Sequence, residues 1–517
     1  MPRFSNHPGR YGPLFTRQQP TSTLVFRNSS LPFYNYMTSA HYYIYGNEST
    51  EALVTPARPN VELKQEAAKP DTDKVLTVVL VDFKIPSNTK THKTDKFDIV
   101  KSKTNPKLVV RRGLSFLIDV TFSKDYDESK DDVRVVFDIG ENPLVSKGTN
   151  VEFILSDEDR PKEWGAKIGK VLTLEIFTPP SCLVGKWKLK LDVVKKENNT
   201  VSIYRYEHKD AIYILFNPWC KDDSVYMSND RLLKEYILNE TGFIYSGNKN
   251  SITPKPWNFG QFETCILDVA LYLLDISELK WEVRGNPINV VRKISAVVNS
   301  SDEGGVLAGN WSGDYRGGRS PLSWTGSAAI LEEYWQTKCP VKFGQCWVFS
   351  GLSTTICRAL GIPARSVTNY ASAHDTDGSI TIDVHFTSDG ASNDDLNYDS
   401  IWNFHVWNEA WMARPDLPNG YGGWQAFDAT PQEASDYVYC CGPTSVAAVK
   451  QGEVNLPYDG PFVFAEVNAD RIYWVPDSEG KLKAVYTDKR LIGKNISTKA
   501  ANSDDREDIT LTYKSEE

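Results

Sequence analysis

The residues with the clearest potential for chemistry surround Cys346. The motif Gly344-Gln345-Cys346 is followed by apolar residues at helical spacing, which end at Gly361 and Pro363. This pattern predicts a helix that begins at Cys346. The start of a helix has unpaired N–H groups and the positive end of the helix dipole, which favour an anion such as a thiolate. Cys346 is therefore predicted to be a nucleophile, and a nucleophilic cysteine needs a base.

The candidate base is His405, one of seven histidines in the chain. It lies in the aromatic-rich run 402–411, which contains no Gly or Pro and is predicted to be a buried strand. The run from Trp424 to Asp428 predicts a second strand, with Asp428 at its end. This combination of Cys, His and Asp is typical of a thiol acyltransferase or a cysteine protease. The spacing alone also allows purely structural roles for the cysteine and the histidine.

Further motifs occur along the chain in one order: Gly344–Phe349, Gly361–Arg365, Thr368–Tyr370, Ser372–Asp375, Trp411–Leu417 and Phe462–Asn468. Together they resemble the animal transglutaminase family, of the tissue, clotting factor XIII A and arthropod haemocyte type. The separations between Cys346 and His405, 59 residues, and between His405 and Asp428, 23 residues, are also similar to that family's. The resemblance extends from about residue 75 to Glu517, before the two C-terminal β-barrels with which the family usually ends.

The chain of 517 residues is long enough for two to four domains. Short strand patterns separated by turn residues predict a β-sandwich, and mixed patterns from 217 onward, including a helix over Phe262–Leu274, predict an α+β region. The resemblance implies an immunoglobulin-like sandwich and a papain-like (cysteine proteinase-like) core. We therefore predict a disordered extension over 1–72, a β-sandwich over 73–216 and a catalytic core over 217–517, with the C-terminal β-barrels absent. The predicted sandwich strands are Val75–Phe83, Leu114–Phe122, Val133–Phe137, Trp187–Val193 and Ala211–Phe216.

The resemblance implies acyl transfer through a thioester on Cys346. The thiolate would attack the side-chain amide of a protein Gln, and a protein Lys or a polyamine would then take the acyl group. His405 would protonate the leaving ammonia, and Asp428 would orient His405. The resemblance also assigns the indole N–H of Trp311 to the oxyanion and places Trp402 in the wall of the acyl-acceptor channel. By residue type alone, Trp311 also fits an ordinary core position.

Three clusters of oxygen-bearing side chains resemble the calcium sites of the family. Calcium is bound by six to eight oxygens from carboxylates, amides and carbonyls, so Ca²⁺ is the predicted cofactor. Taken one at a time, each cluster also fits a solvated acidic loop. A further family carboxylate of the third cluster would fall beyond the last residue. The first cluster is Asp375, Asp377, Ser379, Thr381 and Asp399; the second is Asn299, Ser301 and Glu303 with the carbonyl of Ala296; the third is Asn468, Asp470 and Glu517.

The composition excludes some classes of protein. The net charge is −9, and nothing in the sequence suggests the basic face that nucleic-acid binding needs. The sequence has no run of 18 apolar residues, so we predict no transmembrane helix. The N-terminus does not have the pattern of a signal peptide. We therefore expect a cytoplasmic protein. The resemblance to the clotting factor suggests release from cells on injury and a role in coagulation. The expected partners are Gln-donor and Lys-acceptor proteins and polyamines, and a homodimer is allowed.

Two other functions compete with the cross-linking enzyme. A papain-type protease would use the same three residue types, although the motifs around them favour the transglutaminase. A catalytically inactive transglutaminase-like scaffold or fragment is the second alternative, although all three candidate residues are present. The adjacent Cys440 and Cys441 either form a strained disulfide that acts as a redox brake or are two inert thiols.

Overall fold

The fold is described by a computed structural model that covers residues 75–515, except residues 128, 157, 169–171, 198–199 and 303. The predicted extension over 1–72 lies outside the described residues. Within the described part of the chain, no helix is both long and apolar enough to cross a bilayer.

Ten strands near the N-terminus form one hydrogen-bonded path. They are β1 Val78–Asp82, β2 Val109–Arg111, β3 Phe116–Phe122, β4 Asp132–Asp138, β5 Asn150–Ser156, β6 Gly165–Ile168, β7 Thr173–Phe177, β8 Gly185–Glu197, β9 Thr200–Glu207 and β10 Ile212–Leu215. The path runs β1-β3-β7-β6-β5-β4-β8-β10-β2, and β9 pairs with β8. Two short helices, α1 Ile85–Thr91 and α2 Asp98–Lys101, and a 3₁₀ turn, Val145–Lys147, interrupt the strands.

The two halves of this path face each other across a shared apolar core. Val81 and Ile118 from the half that begins with β1 lie in the same buried cluster as Val135 and Leu189 from the half that contains β4 and β8. Side chains alternate between buried and more exposed along β3, as they do when one face of a strand covers a core. The arrangement is therefore a β-sandwich. Each of the five predicted strand segments overlaps an observed strand, which confirms them.

The rest of the described chain mixes helices with smaller sheets. The helices are α3 Asp230–Leu233, α4 Ile266–Ile276, α5 Pro287–Val297, α6 Ala328–Thr337, α7 Cys346–Leu360, α8 Val446–Gln451, α9 Gly460–Asn468 and α10 Thr510–Tyr513, with a π-helical turn at Lys234–Leu238 and 3₁₀ turns at Trp281–Val283 and Pro321–Ser323. The strands are β11 Thr241–Asn248, β12 Ser251–Asn258, β13 Leu307–Gly309, β14 Val341–Gly344, β15 Ala364–His374, β16 Thr381–His385, β17 Ser400–Met412, β18 Gly423–Asp428, β19 Ala434–Ser435, β20 Val438–Tyr439, β21 Cys441–Ser445, β22 Asp470–Pro476, β23 Leu482–Asp488, β24 Lys494–Lys499 and β25 Arg506–Asp508.

A six-stranded sheet in the order β21-β18-β17-β15-β24-β25 forms the centre of this region. Helix α7 packs against β15 and β17, and every one of its side chains is buried. The helix is thus surrounded by protein, and its buried polar side chains such as Ser350, Thr355 and Arg358 hydrogen-bond to neighbouring segments. It is the element that must place the cysteine, and the sheet beside it must place the histidine and the aspartate.

Helix α7 begins and ends where the sequence predicts. Gly361 caps it with a φ of 94°, and a Cβ there would lie 2.4 Å from the carbonyl oxygen of Phe216, so only glycine fits. Helix α4 differs from the prediction, because it begins at Ile266 rather than Phe262. The carbonyl of Phe262 accepts from the backbone of Asp98. This tertiary hydrogen bond holds the segment outside the helix.

Candidate active site

Two short parallel strands bring Cys346 and Trp311 together. Strands β13 and β14 pair side by side, and each chain segment emerges from its strand in the same direction. The Nε2 amide of Gln345 donates to the carbonyl of Asn310 at 2.8 Å, which ties the two segments together just beyond the strands. The indole of Trp311 stacks on Phe349 with ring centroids 6.4 Å apart. Trp311 therefore lies beside the first turn of α7, where Cys346 begins the helix.

His405 and Asp428 form a buried hydrogen-bonded pair on neighbouring strands. His405 Nε2 lies 2.6 Å from Asp428 Oδ2, and the two side chains are 1% and 4% exposed. The other carboxylate oxygen, Oδ1, accepts from the backbone N–H of Thr430 at 2.8 Å, which holds the carboxylate in place. His405 Nδ1 is buried without a hydrogen-bond partner. It is the ring nitrogen left available to the thiol of Cys346.

The electrostatics of the site favour a protonated imidazole. Burial lowers the pKa of His405, but the opposite charge and the hydrogen bond of Asp428 more than offset burial, and the pKa lies well above its ordinary value. The neighbouring Cys346 raises the pKa of His405 further. The three side chains are therefore electrostatically linked, as a cysteine nucleophile, its base and the group that orients the base must be.

Two further side chains complete this cluster, and the sequence analysis did not assign either of them. The amide nitrogen of Gln432 lies 3.0 Å from both His405 Nε2 and Asp428 Oδ2. Glu466 Oε1 lies 3.6 Å from the same imidazole nitrogen. Burial, reinforced by the charge of Asp428, raises the pKa of Glu466 to about 8, although His405 lowers it. The one signal available in the sequence was a carboxylate within the otherwise apolar run Phe462–Asn468.

Aromatic rings surround the candidate triad. The ring of Trp402 stands nearly perpendicular to that of His405, with centroids 5.3 Å apart, and 6.3 Å from the ring of Trp311. Trp311 is 43% exposed, so its indole lies at the surface opening of the site. Trp347, the next residue after the cysteine, packs against Phe404. Apolar walls of this kind limit the access of water to a reacting centre.

The first predicted calcium cluster is brought together beyond the end of β15. Ligand oxygens from Asp375, Asp377 and Asp399 all lie within 4.8 Å of one another. The hydroxyls of Ser379 and Thr381 are 2.9 Å apart in the same loop. Carboxylate and hydroxyl oxygens are the ligands that calcium prefers, so this donor set fits the ion. The sequence analysis missed Asp383, whose carboxylate accepts from the hydroxyl of Thr381 at 3.0 Å.

The second cluster lies at the end of α5. Ala296 is in the last turn of that helix, and Asn299 and Ser301 follow in the loop. The side-chain oxygen of Asn299 accepts from the backbone of Ser301 at 3.0 Å, and its amide donates to the carbonyl of Tyr439 at 2.9 Å. Glu303 lies outside the described residues, so the set of four remains a prediction.

The third cluster connects α9 to β22. Asn468 ends the helix and Asp470 begins the strand, where it is the register partner of Thr381 on the parallel strand β16. The carboxylate of Asp470 is 3.7 Å from the ammonium of Lys489. Glu517, the remaining predicted ligand, lies outside the described residues. This cluster therefore also remains a prediction.

Cys440 and Cys441 are both free thiols in this structure. Burial raises the pKa of Cys440 to about 11, so its thiol is protonated at neutral pH. The backbone of Cys441 pairs with that of Asp428 across β18 and β21. The structure thus places the pair next to the candidate triad, and its redox role stays a prediction.

Comparison with known proteins gives matches over most of the chain. Residues 79–194 match an N-terminal domain described as "Transglutaminase family", and residues 314–429 match a core domain described as "Transglutaminase-like superfamily". Annulin of Schistocerca americana is 45% identical over 90% of this chain and 61% of its own length. The hemocyte protein-glutamine gamma-glutamyltransferase of Tachypleus tridentatus is 45% identical over 87% and 62%, and the human coagulation factor XIII A chain is 46% identical over 86% and 60%.

The chain thus spans about three-fifths of the length of these curated relatives. The crystal structure of red sea bream transglutaminase superposes with a TM-score of 0.74 at 39% identity, over 84% of this chain and 65% of that one. This match confirms the predicted fold class, a multidomain protein with a β-sandwich followed by an α+β papain-like core. The chain carries the N-terminal and core domains of the transglutaminase family.

Proposed function

We propose that this chain is a calcium-dependent protein-glutamine gamma-glutamyltransferase, which joins a protein Gln to a protein Lys or a polyamine through a thioester. The observation that carries the proposal is the arrangement of a cysteine, a histidine and an aspartate at the start of α7 and on the strands beside it. Cys346 begins a buried helix, His405 leaves one nitrogen free, and Asp428 binds the other nitrogen at 2.6 Å. The names of the relatives support the same activity.

The proposed reaction has two halves. The thiolate of Cys346 attacks the carboxamide of a Gln side chain, and the C–N bond breaks as His405 gives its proton to the leaving ammonia. An amine then attacks the thioester and its proton passes to His405; the C–S bond breaks, the thiolate of Cys346 is released, and the new C–N bond is an isopeptide bond. Trp311 is proposed to donate its indole N–H to the oxyanion, and Trp402 to line the path of the amine.

The two alternatives differ in what the site would accept. A protease would cut a peptide bond with the same triad, and an inactive scaffold would bind substrates without turnover. The aromatic rings of Trp311 and Trp402 beside the candidate triad favour transfer to an amine, because they restrict water. The matched domains favour the same reaction over proteolysis.

Incorporation of a labelled primary amine into a Gln-rich protein is the direct test. We expect incorporation with calcium, and its complete loss in Cys346→Ala, because that variant lacks the nucleophile that forms the thioester. Cys339→Ala, which removes an exposed thiol, is the matched control and is expected to keep full activity. Peptide cleavage without incorporation would establish the protease. No turnover by a folded sample would establish the scaffold.

The calcium dependence is proposed to rest on the first cluster. Calcium bound by Asp375, Asp377 and Asp399 would neutralise three carboxylates and join the loop after β15 to the segment before β17. Asp399 directly precedes β17, and β17 carries the candidate base His405, so calcium bound by Asp399 would fix the start of the strand that positions the base. The other two clusters are proposed as weaker supports, with Glu303 and Glu517 as their remaining carboxylates.

Asp377→Asn is expected to weaken calcium binding about tenfold or more, because calcium affinity depends on the number of charged ligands and even residues behind the ligands typically contribute 10- to 100-fold. Isothermal titration calorimetry with calcium measures this directly, without reliance on activity. Asp389→Asn removes the same charge from the loop that follows β16 and is the control. Equal calcium affinity in the two variants would contradict this assignment.

A further inference from the structure

Besides His405, a second cation lies against the first turn of α7, the turn that carries Cys346. The ammonium of Lys255 lies over the ring of Trp347, 4.4 Å from the ring centroid, and Trp347 is the residue next to Cys346 in the first turn of α7. Lys255 is half-buried and pairs with no carboxylate in the described part of the chain. A cation that is partly removed from water and has no carboxylate partner acts strongly on a neighbouring anion.

The position of Lys255 follows from how β12 packs on α7. Lys255 and Trp257 point to the same face of the strand, because they are two residues apart. The ring of Trp257 fills the space beside Gly351, where a Cβ would lie 2.4 Å from a ring atom. Trp347 lies one turn before Gly351 on the same face of the helix. The contact between Trp257 and the helix therefore sets Lys255 against the turn that carries the thiol.

The electrostatic environment of Lys255 agrees with this placement. Burial lowers the pKa of Lys255, and a Coulombic interaction with Cys346 raises it. The other titratable groups that face the thiol or its neighbours are on different elements: His405 on β17, Asp428 at the end of β18, Glu466 on α9, and Tyr315, whose hydroxyl is 3.2 Å from the amide of Gln345. Among these groups Lys255 is the one that is cationic without a carboxylate beside it.

We infer that Lys255 is a positioning residue of the active site. Its ammonium lies against the first turn of α7 and stabilises the thiolate of Cys346, in addition to the imidazolium of His405. This role rests on the proposed function, in which the thiolate is the attacking group. Trp347 holds the ammonium in place through a cation–π contact, and the helix start adds its dipole to the same anion. When the thiolate becomes a neutral thioester, this stabilisation ends.

The test is the rate at which iodoacetamide alkylates Cys346 as a function of pH, followed by mass spectrometry of the peptide that contains it. Lys255→Met keeps the apolar stem on Trp347 and removes the charge. We expect the midpoint of the alkylation profile to rise by about half a pH unit to one unit, because the buried thiolate loses a nearby opposite charge. Above that midpoint the variant should react no more slowly than the wild type, because a more basic thiolate is the better nucleophile.

Two further variants keep the result interpretable. Lys255→Arg retains the charge and should restore the wild-type midpoint. Lys96→Met removes a lysine that lies over Phe262, 5.5 Å from the ring centroid, and should leave the midpoint unchanged. If Lys255→Met does not fold, Lys255→Gln provides the same measurement. A profile of either neutral variant that superimposes on the wild type would overturn the inference.

Alkylation does not depend on acyl transfer, so the two proposals can fail separately. A shifted alkylation profile without any amine incorporation would contradict the proposed function and leave the role of Lys255 intact. Normal incorporation with an unshifted profile would do the reverse.

Discussion

Asp428→Asn is expected to lower the rate of amine incorporation by roughly 10³- to 10⁴-fold, because it places the imidazole of His405 in the wrong tautomer. In the native chain, His405 Nε2 donates to Asp428 Oδ2 at 2.6 Å, which leaves Nδ1 as the acceptor for the proton of the Cys346 thiol. Oδ1 of Asp428 is held by the N–H of Thr430. Asn would keep that contact and turn its amide N–H₂ toward His405. The imidazole would then carry its proton on Nδ1 and could not take one from the thiol.

This prediction can be separated from a loss of folding. Asp477→Asn makes the same change in an exposed turn, where the side-chain oxygen also accepts from backbone N–H groups, and it should leave the rate unchanged. The thermal unfolding midpoint of Asp428→Asn gives the stability of the variant. Alkylation of Cys346 should persist in it with a midpoint at higher pH, since the thiolate loses its imidazolium partner. A folded variant with near wild-type incorporation would exclude Asp428 from the triad.

The parts of the site that are local in sequence could be predicted from the sequence. The spacing of apolar residues after Cys346, together with Gly361, was sufficient to place the cysteine at the start of α7. The aromatic-rich run without Gly or Pro placed His405 on a strand, and the run from Trp424 placed Asp428 at the end of another; these are β17 and β18, which pair. The oxygens of Asp375 and Asp377 belong to one loop, so their spacing was informative as well. The resemblance added Asp399, which local patterns could not connect to that loop.

The remaining parts depend on contacts between distant segments. Glu466 is 2% exposed and meets His405 only because α9 packs beneath the sheet, 61 residues further along the chain. Lys255 reaches the first turn of α7 through the packing of Trp257 on Gly351. A charged residue in an apolar or strand segment gives no local sign of its partner. Burial and charge identify such residues only after the fold is known.

The second large effect concerns stability, and it follows from a buried ion pair between the segment that follows β2 and the loop after β10. Arg112 donates through Nε and Nη2 to the two carboxylate oxygens of Asp223, at 2.7 Å each, and the side chains are 1% and 0% exposed. The third guanidinium nitrogen donates to the carbonyls of Cys182 and Gly285. Every charge is thus satisfied without water, as a buried pair requires.

Asp223→Asn is expected to lower the free energy of unfolding by about 3–5 kcal/mol, because the guanidinium of Arg112 would remain buried without a counter-charge. This loss mainly reflects the free-energy cost of burying an unpaired guanidinium. It is larger than the net contribution of the intact ion pair to the free energy of unfolding. Denaturation in urea, monitored by tryptophan fluorescence, measures it.

The residue before Asp223 provides the matched control for this stability prediction. Asp222 forms an exposed pair with Lys162 at 3.0 Å, and Asp222→Asn should change the free energy of unfolding by no more than about 1 kcal/mol. The two variants make the same chemical change at adjacent positions and differ in burial. If both lost the same small amount, the pair between Arg112 and Asp223 would be reached by water in solution.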